Sequence, residues 1–145
     1  TDIILLDSPA TLGSKSAVLP IVLADRVVVV LNPTIPSISD GLKVQEYALS
    51  YGSDIAGTIF NRARGAIEDI AAKADRYFEG PTLATVPESD AVQAARSEGV
   101  QLLAHAPECP AAAAFRSAAN GLSPKGGDSE AVAERFRTAV IPNPP

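Results

Sequence analysis

Short apolar runs alternate along this chain with longer stretches in which apolar residues recur at helical spacing. The runs with the character of strands are Ile3–Leu6, Arg26–Leu31, Ile55–Phe60 and Thr82–Val86. Arg26–Leu31 is almost continuously apolar, as expected for a strand that is covered on both faces. Strands that alternate with helical segments form parallel sheets, because parallel neighbours need a crossover connection. The pattern therefore predicts an α/β fold with a mainly parallel sheet flanked by helices.

Several helix boundaries are marked by individual residues. Pro20 lies inside a helical stretch and predicts either a kink or a helix that starts at this residue. Ser37, with Asp40 three residues later, has the pattern of a capping box. Gly52 is a natural terminator of the same helix. The other expected elements are helices over 66–78, around Asp90–Ser97 with a stop at Gly99, and from Pro110 to about Asn120, and a short final strand over Val100–Leu103.

The composition narrows the class of protein. Hydrophobic residues make up 46% of the 145 residues and charged residues 20%, which indicates a globular chain. The formal net charge is −5 and no basic stripe is present, so we expect no direct contact with nucleic acid. One cysteine excludes an internal disulfide and favours a reducing compartment. Without a signal peptide or an 18-residue apolar stretch, the sequence predicts a cytoplasmic protein.

The composition changes after residue 122. Leu122–Asp128 is rich in glycine and polar residues and is interpreted as a linker. We therefore divide the chain into a domain over residues 1–122 and a segment over 123–145 with a short C-terminal helix. Within Ser129–Val140, Val132 and Phe136 follow a weak amphipathic pattern. A loosely docked or disordered tail is favoured here over weak peripheral binding to a membrane.

Polar residues follow the apolar runs at their carboxyl ends, where the ligand-contacting loops of open α/β sheets gather. These residues are Asp7, Asn32-Pro33, Asn61-Arg62 and Pro87-Glu88. No G-x-x-x-x-G-K-[ST] phosphate loop and no G-x-G-x-x-G occurs in the sequence. No Cys/His cluster has metal-ligand spacing. His105 is expected to pack under the last helix, and Cys109 to cap that helix before Pro110.

In their order along the chain, these motifs resemble the C-terminal half of a MinD-type ATPase, without the Walker A loop. The motifs are Ile4–Ala10, Asn32-Pro33, Ser37-x-x-Asp40, Phe60-Asn61-Arg62 and Val86-Pro87-Glu88. MinD-type proteins stand with the ParA-type partitioning proteins among the deviant-Walker P-loop ATPases. The resemblance covers roughly residues 1–122 and implies a P-loop NTPase-like, incomplete fold.

The resemblance implies a metal-side role for the first motif. Asp7 would be the magnesium-side carboxylate of the Walker B position, acting on metal-bound water and helping to position the attacking water. Ser8 and Pro9 would lie beside the nucleotide. The alternative is that Asp7 caps a turn at the end of a strand.

The resemblance also implies a base site. Asn61 would recognise adenine, since a side-chain amide offers both a donor and an acceptor. Arg62 would stack on the base or lie along it, and Pro87 and Glu88 would form the other wall. The alternative for Asn61 is a turn at the end of a strand.

Two functions follow from the resemblance. The first is an ATP-binding and hydrolysing switch that dimerises on ATP and positions cell-division or other cargo, with ATP and Mg²⁺ as ligands of the full-length parent. The second is a non-catalytic interaction domain that has lost the phosphate-binding loop. Because phosphoryl transfer depends on that loop and its lysines, we expect this chain alone to be inactive. The sequence contains no methionine, and we interpret Thr1 as a truncation point, with a natural half-domain as the alternative.

The expected partners are a second copy of the protein on ATP binding and a protein activator or cargo. Relatives often place a glutamate near Thr34 that reaches across a dimer, whereas this chain has threonine. Asp40 resembles a residue of the family's dimer and partner face, or it only stabilises the start of its helix. The resemblance allows a cytoplasmic protein that is peripheral at the inner face of the membrane.

Overall fold

A three-stranded parallel sheet forms the centre of the fold. The structure is a computed structural model and describes residues 3–9, 15–65, 72, 75–122, 130 and 133–134. The strands, in their spatial order, are β1 (Arg26–Leu31), β2 (Asp54–Ala63) and β3 (Thr82–Pro87). The helices in the described ranges are α1 (Lys15–Leu23), α2 (Ile35–Ser50), α3 (Asp90–Glu98), α4 (Leu102–His105) and α5 (Pro110–Gly121). The predicted α/β class with a parallel sheet is confirmed.

Apolar side chains cover the sheet on both faces. Phe60 of β2 packs on one face with Val27, Val29 and Leu31 of β1 and with Ala48 of α2. The opposite cluster contains Ile59, Leu83, Ala84, Val86, Ala111 and Ala118. Neighbouring residues of β2 thus point to opposite layers, as the two-residue period of a strand requires. Burial on both faces explains why the strands are continuous apolar runs.

The cover over β1 is incomplete. Val30 is 60% exposed although its neighbours in the strand, Val29 and Leu31, are buried. The expectation that β1 is covered on both faces is therefore wrong at Val30, which lies on the face opposite to Val29 and Leu31.

Helix α2 begins three residues earlier than the capping pattern predicts. Its N-cap is Thr34, in extended conformation, and its first residue is Ile35. Pro36 fits the first turn because the N–H groups there have no partner within the helix. Ser37 instead accepts a hydrogen bond at Oγ from the backbone N–H of Asn32, at 3.0 Å. The predicted cap at Ser37 is wrong, and its side chain closes the loop between β1 and α2.

The second member of the predicted capping box lies on the surface of α2. Asp40 pairs with Lys43, with 2.8 Å between Oδ1 and Nζ. The end of the helix is as predicted. Gly52 has a φ of 77°, and the next N–H, of Ser53, donates to the carbonyl of Ala48 at 2.9 Å. This is the bonding of a glycine-terminated helix.

The first apolar run does not form a strand. Residues 3–9 have no regular structure, and the four side chains of Ile3–Leu6 are between 49% and 86% exposed. A strand is held by hydrogen bonds to a neighbour, and none of the strands in the described part of the chain pairs with this segment. The prediction of a strand at Ile3–Leu6 is wrong for that reason.

Other boundaries also differ from the predictions. Helix α1 runs through Pro20, so the alternative of a helix starting at Pro20 is wrong. Strand β2 extends three residues past Phe60, to Ala63. The predicted strand Val100–Leu103 is replaced by a loop and α4, because Gly99 in left-handed conformation turns the chain and Gln101 starts a helical turn. The predicted end of α3 at Gly99 and the start of α5 at Pro110 are correct.

Two expected helices fall largely outside the described residues. Of the helix expected over 66–78, residues 66–71, 73 and 74 are outside, and residues 75–80 form turns and bends rather than helix. Of the tail, only residues 130, 133 and 134 are described, and they are helical. None of the helices in the described part of the chain combines the length and apolar character needed to cross a lipid bilayer.

Replacement of Gly57 by alanine is expected to destabilise the fold. Gly57 has a φ of 145°, and a Cβ there would lie 2.4 Å from the carbonyl oxygen of Pro81 and 2.8 Å from Cγ of Leu83. Because neither β2 nor the turn before β3 can move without breaking the ladder, Gly57→Ala should lower the free energy of unfolding by about 3 kcal/mol. Urea denaturation measures this loss.

Gly65→Ala is the matched control for that substitution. Gly65 also has a positive φ, of 61°, but a Cβ there would meet nothing within 4 Å. Its cost should be only the backbone penalty of about 1 kcal/mol. Equal losses in the two variants would show that the close approach at Gly57 does not limit the packing of β2 on β3.

Candidate functional site

An open cleft of about 300 Å³ lies at the carboxyl ends of the three strands. Its lining residues are Asn32, Pro33, Thr34, Arg62, Arg64 and Glu88. The first three follow β1, the two arginines lie at the end of β2, and the glutamate follows β3. This edge is where open α/β sheets bind their ligands. Loops from three separate parts of the chain therefore converge on one surface.

The end of β2 has an unusual backbone conformation. Arg62 has a φ of 57°, in the left-handed region that non-glycine residues rarely adopt. Its N–H donates to the side-chain Oδ1 of Asn61 at 2.9 Å. An Asx turn would instead bond the side-chain oxygen to the N–H two residues on, so this contact with the next residue does not show the turn interpretation of Asn61. The bond uses only the amide oxygen, and the NH₂ group of Asn61 has two further donors.

The end of β3 is joined to the end of β2 by backbone and side chain. Pro87 is the register partner of Ala63, and the N–H of Glu88 donates to the carbonyl of Ala63 at 3.0 Å. The Glu88 carboxylate in turn pairs through Oε2 with Nε of Arg64. The loop after β3 is thus held beside the last residues of β2.

The charges around the cleft favour an anion. Two guanidinium groups, Arg62 and Arg64, and one carboxylate, Glu88, give one net positive charge among the lining residues. Helix α2 starts directly after Thr34, with no acidic residue in its first turn. A helix N-terminus carries a partial positive charge. The lining side chains and the start of α2 therefore both contribute positive charge at the mouth of the cleft.

Four of the predicted site residues meet at this edge of the sheet. Arg62 and Glu88 line the cleft, and Asn61 and Pro87 are their chain neighbours in β2 and β3. Each of the two base-site motifs thus contributes one lining residue. The Asn32-Pro33 motif lies on the third side.

The first motif lies apart from the cleft lining. Asp7, Ser8 and Pro9 are exposed and are not among the lining residues. Ser8 donates through Oγ to the carbonyl of Ala17 in α1, at 3.0 Å. The described residues contain no group of three or more acidic, histidine or cysteine side chains that could hold a metal ion together.

Sequence reasoning missed Arg64. Arg64 follows the last residue of β2, and the left-handed backbone at Arg62 interrupts the two-residue period of an extended chain, so no spacing rule marks this arginine in the sequence. The expectation for His105 was also wrong. Its Nδ1 lies 3.1 Å from Oε2 of Glu98, in a surface pair between α4 and α3. Cys109 does cap α5 as predicted, accepting at Sγ from a backbone N–H at 3.4 Å.

Comparison with known sequences relates the chain to archaeal ATP-binding proteins. No family model matches the chain. It is 37% identical over 115 residues to an uncharacterised ATP-binding protein of Methanocaldococcus jannaschii, a match covering 79% of this chain and 43% of that protein. A second ATP-binding protein of the same organism is 25% identical over 120 residues, covering 82% of this chain and 45% of the relative. The chain thus spans less than half the length of these relatives.

Solved structures with a similar fold are MinD proteins. The MinD of Pyrococcus horikoshii complexed with Mg-ADP has a TM-score of 0.68 at 30% identity, covering 78% of this chain and 46% of that chain. The cell division ATPase MinD of Pyrococcus furiosus gives 0.66 at 30% identity, covering 79% and 48%. The MinD of Aquifex aeolicus, at 22% identity and a TM-score of 0.62 over 83% and 52%, supports the fold alone. In sequence and in fold, this chain is similar to the MinD-type ATPases, as its motifs predicted, over a stretch about half as long as those proteins.

Proposed function

We propose that this chain forms part of a MinD-like ATP-binding and hydrolysing switch, in which it supplies the adenine side of the nucleotide site. The observation that carries the proposal is the cleft at the carboxyl ends of the strands, where both base-site motifs meet. Two further findings support it: relatives of the chain are described as ATP-binding proteins, and the similar MinD of Pyrococcus horikoshii holds Mg-ADP.

The base would be recognised by the end of β2 and the loop after β3. Asn61 Oδ1 is engaged by the N–H of Arg62, so its NH₂ group is the part that donates to a ring nitrogen of the base. The exposed guanidinium of Arg62 is planar and suits stacking on an aromatic ring. Pro87, fixed beside Ala63 by the ladder, forms the facing apolar wall.

The charges at the cleft suit the phosphate groups of a nucleotide and their magnesium ion. The net positive charge and the start of α2 favour a polyanion such as a triphosphate. Asp7 is proposed as the magnesium-side carboxylate, with Ser8 and Pro9 beside the nucleotide. Magnesium in such sites takes most of its ligands from water and phosphate, with one or two carboxylates, so a single aspartate fits the ion. The ion would neutralise phosphate charge when bound.

Dimerisation on ATP and the positioning of cell-division or other cargo belong to the same proposal. Ile35, the first residue of α2, is 84% exposed and directly follows the cleft-lining Thr34. An exposed isoleucine beside a nucleotide cleft is suited to burial by a second copy that closes over the nucleotide. An activator or cargo protein would then bind the dimer.

Loss of the Asn61 side chain is expected to weaken ATP binding. If Asn61 donates to adenine, Asn61→Ala removes about one hydrogen bond, worth roughly 1 kcal/mol or a five- to tenfold change in Kd. Titration of the isotope-labelled chain with Mg-ATP, followed by NMR, measures the Kd even where binding is weak. The amide signals that shift should belong to residues 32–34, 61–64 and 87–88.

Asn120→Ala, at the exposed end of α5, is the control for the loss of an asparagine. It should bind ATP as the unaltered chain does. An Asn61→Ala variant with unchanged affinity, or the absence of shifts in the unaltered chain, would contradict the proposal. The second result would favour the alternative of a non-catalytic interaction domain.

Replacement of Ile35 by serine is expected to prevent ATP-dependent dimerisation. Light scattering of the unaltered chain should give the monomer mass without nucleotide and twice that mass with Mg-ATP. Ile35→Ser should remain a monomer because the contact loses its apolar side chain. Val100→Ser, which removes another exposed apolar residue far from α2 in sequence, should still dimerise. A mass that does not change at Mg-ATP concentrations that shift the amide signals of the cleft would disprove ATP-dependent dimerisation of this chain.

A further inference from the structure

The exposed valine of β1 lies on the same face of the sheet as α5. Val29 is buried in the cluster that contains Phe60, whereas Val28 packs against the opposite cluster, to which α5 belongs. Because side chains alternate along a strand, Val30 shares the face of Val28. It is nevertheless 60% exposed, so the described part of the chain leaves it largely uncovered. We call this surface, formed by Val28 and Val30, the second face of β1.

The dimensions of the sheet leave room for one helix over this second face. Helix α5 packs on β3, where its Ala111 and Ala118 share a cluster with Leu83 and Val86. Strand β1 lies two strands away from β3, which is a distance of about 10 Å. The axes of helices packed side by side are about 8–10 Å apart. A helix placed next to α5 on the side of β1 would therefore lie over β1.

The chain that follows α5 has the right position and length to supply this helix. Helix α5 ends at Gly121, and Leu122 packs against the same cluster as α5, so the chain leaves the sheet on this face. Residues 123–128 can extend over about 20 Å, twice the distance to β1. A helix over residues 129–140 would be about 18 Å long. The six residues of β1 span about 20 Å.

The described residues of this segment indicate which side of the helix is apolar. Residues 130, 133 and 134 are helical, with Ala133 half-buried and both Glu130 and Glu134 exposed. Phe136 follows Ala133 by three positions and Val140 follows it by seven, so a continuous helix places all three on one side. The two glutamates lie on a different side. The segment thus has an apolar side suited to a sheet and a charged side suited to water.

We propose that residues 129–140 form a helix that docks on the second face of β1 beside α5, with Phe136 covering Val30. A lipid surface is the less suitable partner, because residues 123–145 carry three basic and three acidic side chains and hence no net charge to attract anionic lipids. The docked helix completes the second apolar layer of the sheet. It also shields β1 from other chains, since exposed apolar strands at the edge of a sheet favour association.

Tryptophan fluorescence of the full chain tests this docking. The sequence contains no tryptophan, so Phe136→Trp introduces a single probe. Its emission should be blue-shifted, and less quenched by acrylamide, relative to the same chain in urea, because docking removes the indole ring from water. Val30→Ser in this background should shift the emission to the red and raise the quenching toward the value in urea. Leu49→Ser, at an exposed apolar residue of α2 on the other face, should change neither.

A substitution in the tail tests the same contact without altering the sheet. Ala133→Asp places a charge on the docking side and should release the helix, whereas Glu134→Asp, on the exposed side, should not. Circular dichroism checks that each variant keeps its fold.

Four outcomes would overturn the proposal. The first is a solvent-like emission of the Phe136→Trp chain, and the second is a blue-shifted emission that neither Val30→Ser nor Ala133→Asp changes. Protection that appears only as the protein concentration rises would assign the cover to a second copy. A blue shift that appears only with phosphatidylglycerol vesicles would assign the tail to a membrane surface.

Discussion

Strand β2 is the element on which the rest of the described structure depends. It pairs in parallel with β1 on one edge and with β3 on the other, and its side chains enter both apolar layers. Parallel pairing makes all three strands end at the same side of the sheet. The cleft follows from this constraint, because the residues after each of the three strands emerge on that same side. At Gly57, β2 runs so close to the turn before β3 that a Cβ there would lie 2.4 Å from the carbonyl oxygen of Pro81.

The backbone at the end of β2 carries strain where the candidate site begins. A left-handed φ at Arg62 costs about 1–2 kcal/mol for a residue other than glycine. The hydrogen bond from its N–H to Asn61 and the bond between Ala63 and Glu88 offset this cost. The conformation turns the chain so that Arg62 and Arg64 both line the cleft. Strain of this kind is commonly found at binding sites.

The parts of the fold that could be predicted from the sequence depend on local chemistry. Gly52, Gly99 and Cys109 mark helix ends correctly because a left-handed turn or a cap is decided by the residue itself. The parts that could not be predicted depend on contacts distant in sequence. Ile3–Leu6 has the pattern of a strand but no paired neighbour among the described residues. Ser37 matches the pattern of an N-cap, yet its Oγ accepts a hydrogen bond from the backbone N–H of Asn32.

The same distinction applies to the candidate site. Asn61, Arg62 and Glu88 were predicted because their motifs end strands, and parallel pairing brings such ends together. Arg64 was missed because its role is defined only by Glu88, which lies 24 positions later in the sequence and reaches it through the β2–β3 ladder. A single sequence does not contain the register of two strands. The ion pair could be found only once that register was known.

The polar interactions at the cleft contribute less free energy to stability than the burial of apolar side chains on the sheet. A surface ion pair such as Arg64–Glu88 contributes about 0–1 kcal/mol to stability, and the start of a helix about as much to a nearby charge. Burial of a side chain like Phe60, which is fully enclosed, contributes about 2–3 kcal/mol. The polar residues at the edge of the sheet therefore do not hold the fold together. They are positioned by a core that does not need them, so the cleft can change its ligand selectivity without loss of the fold.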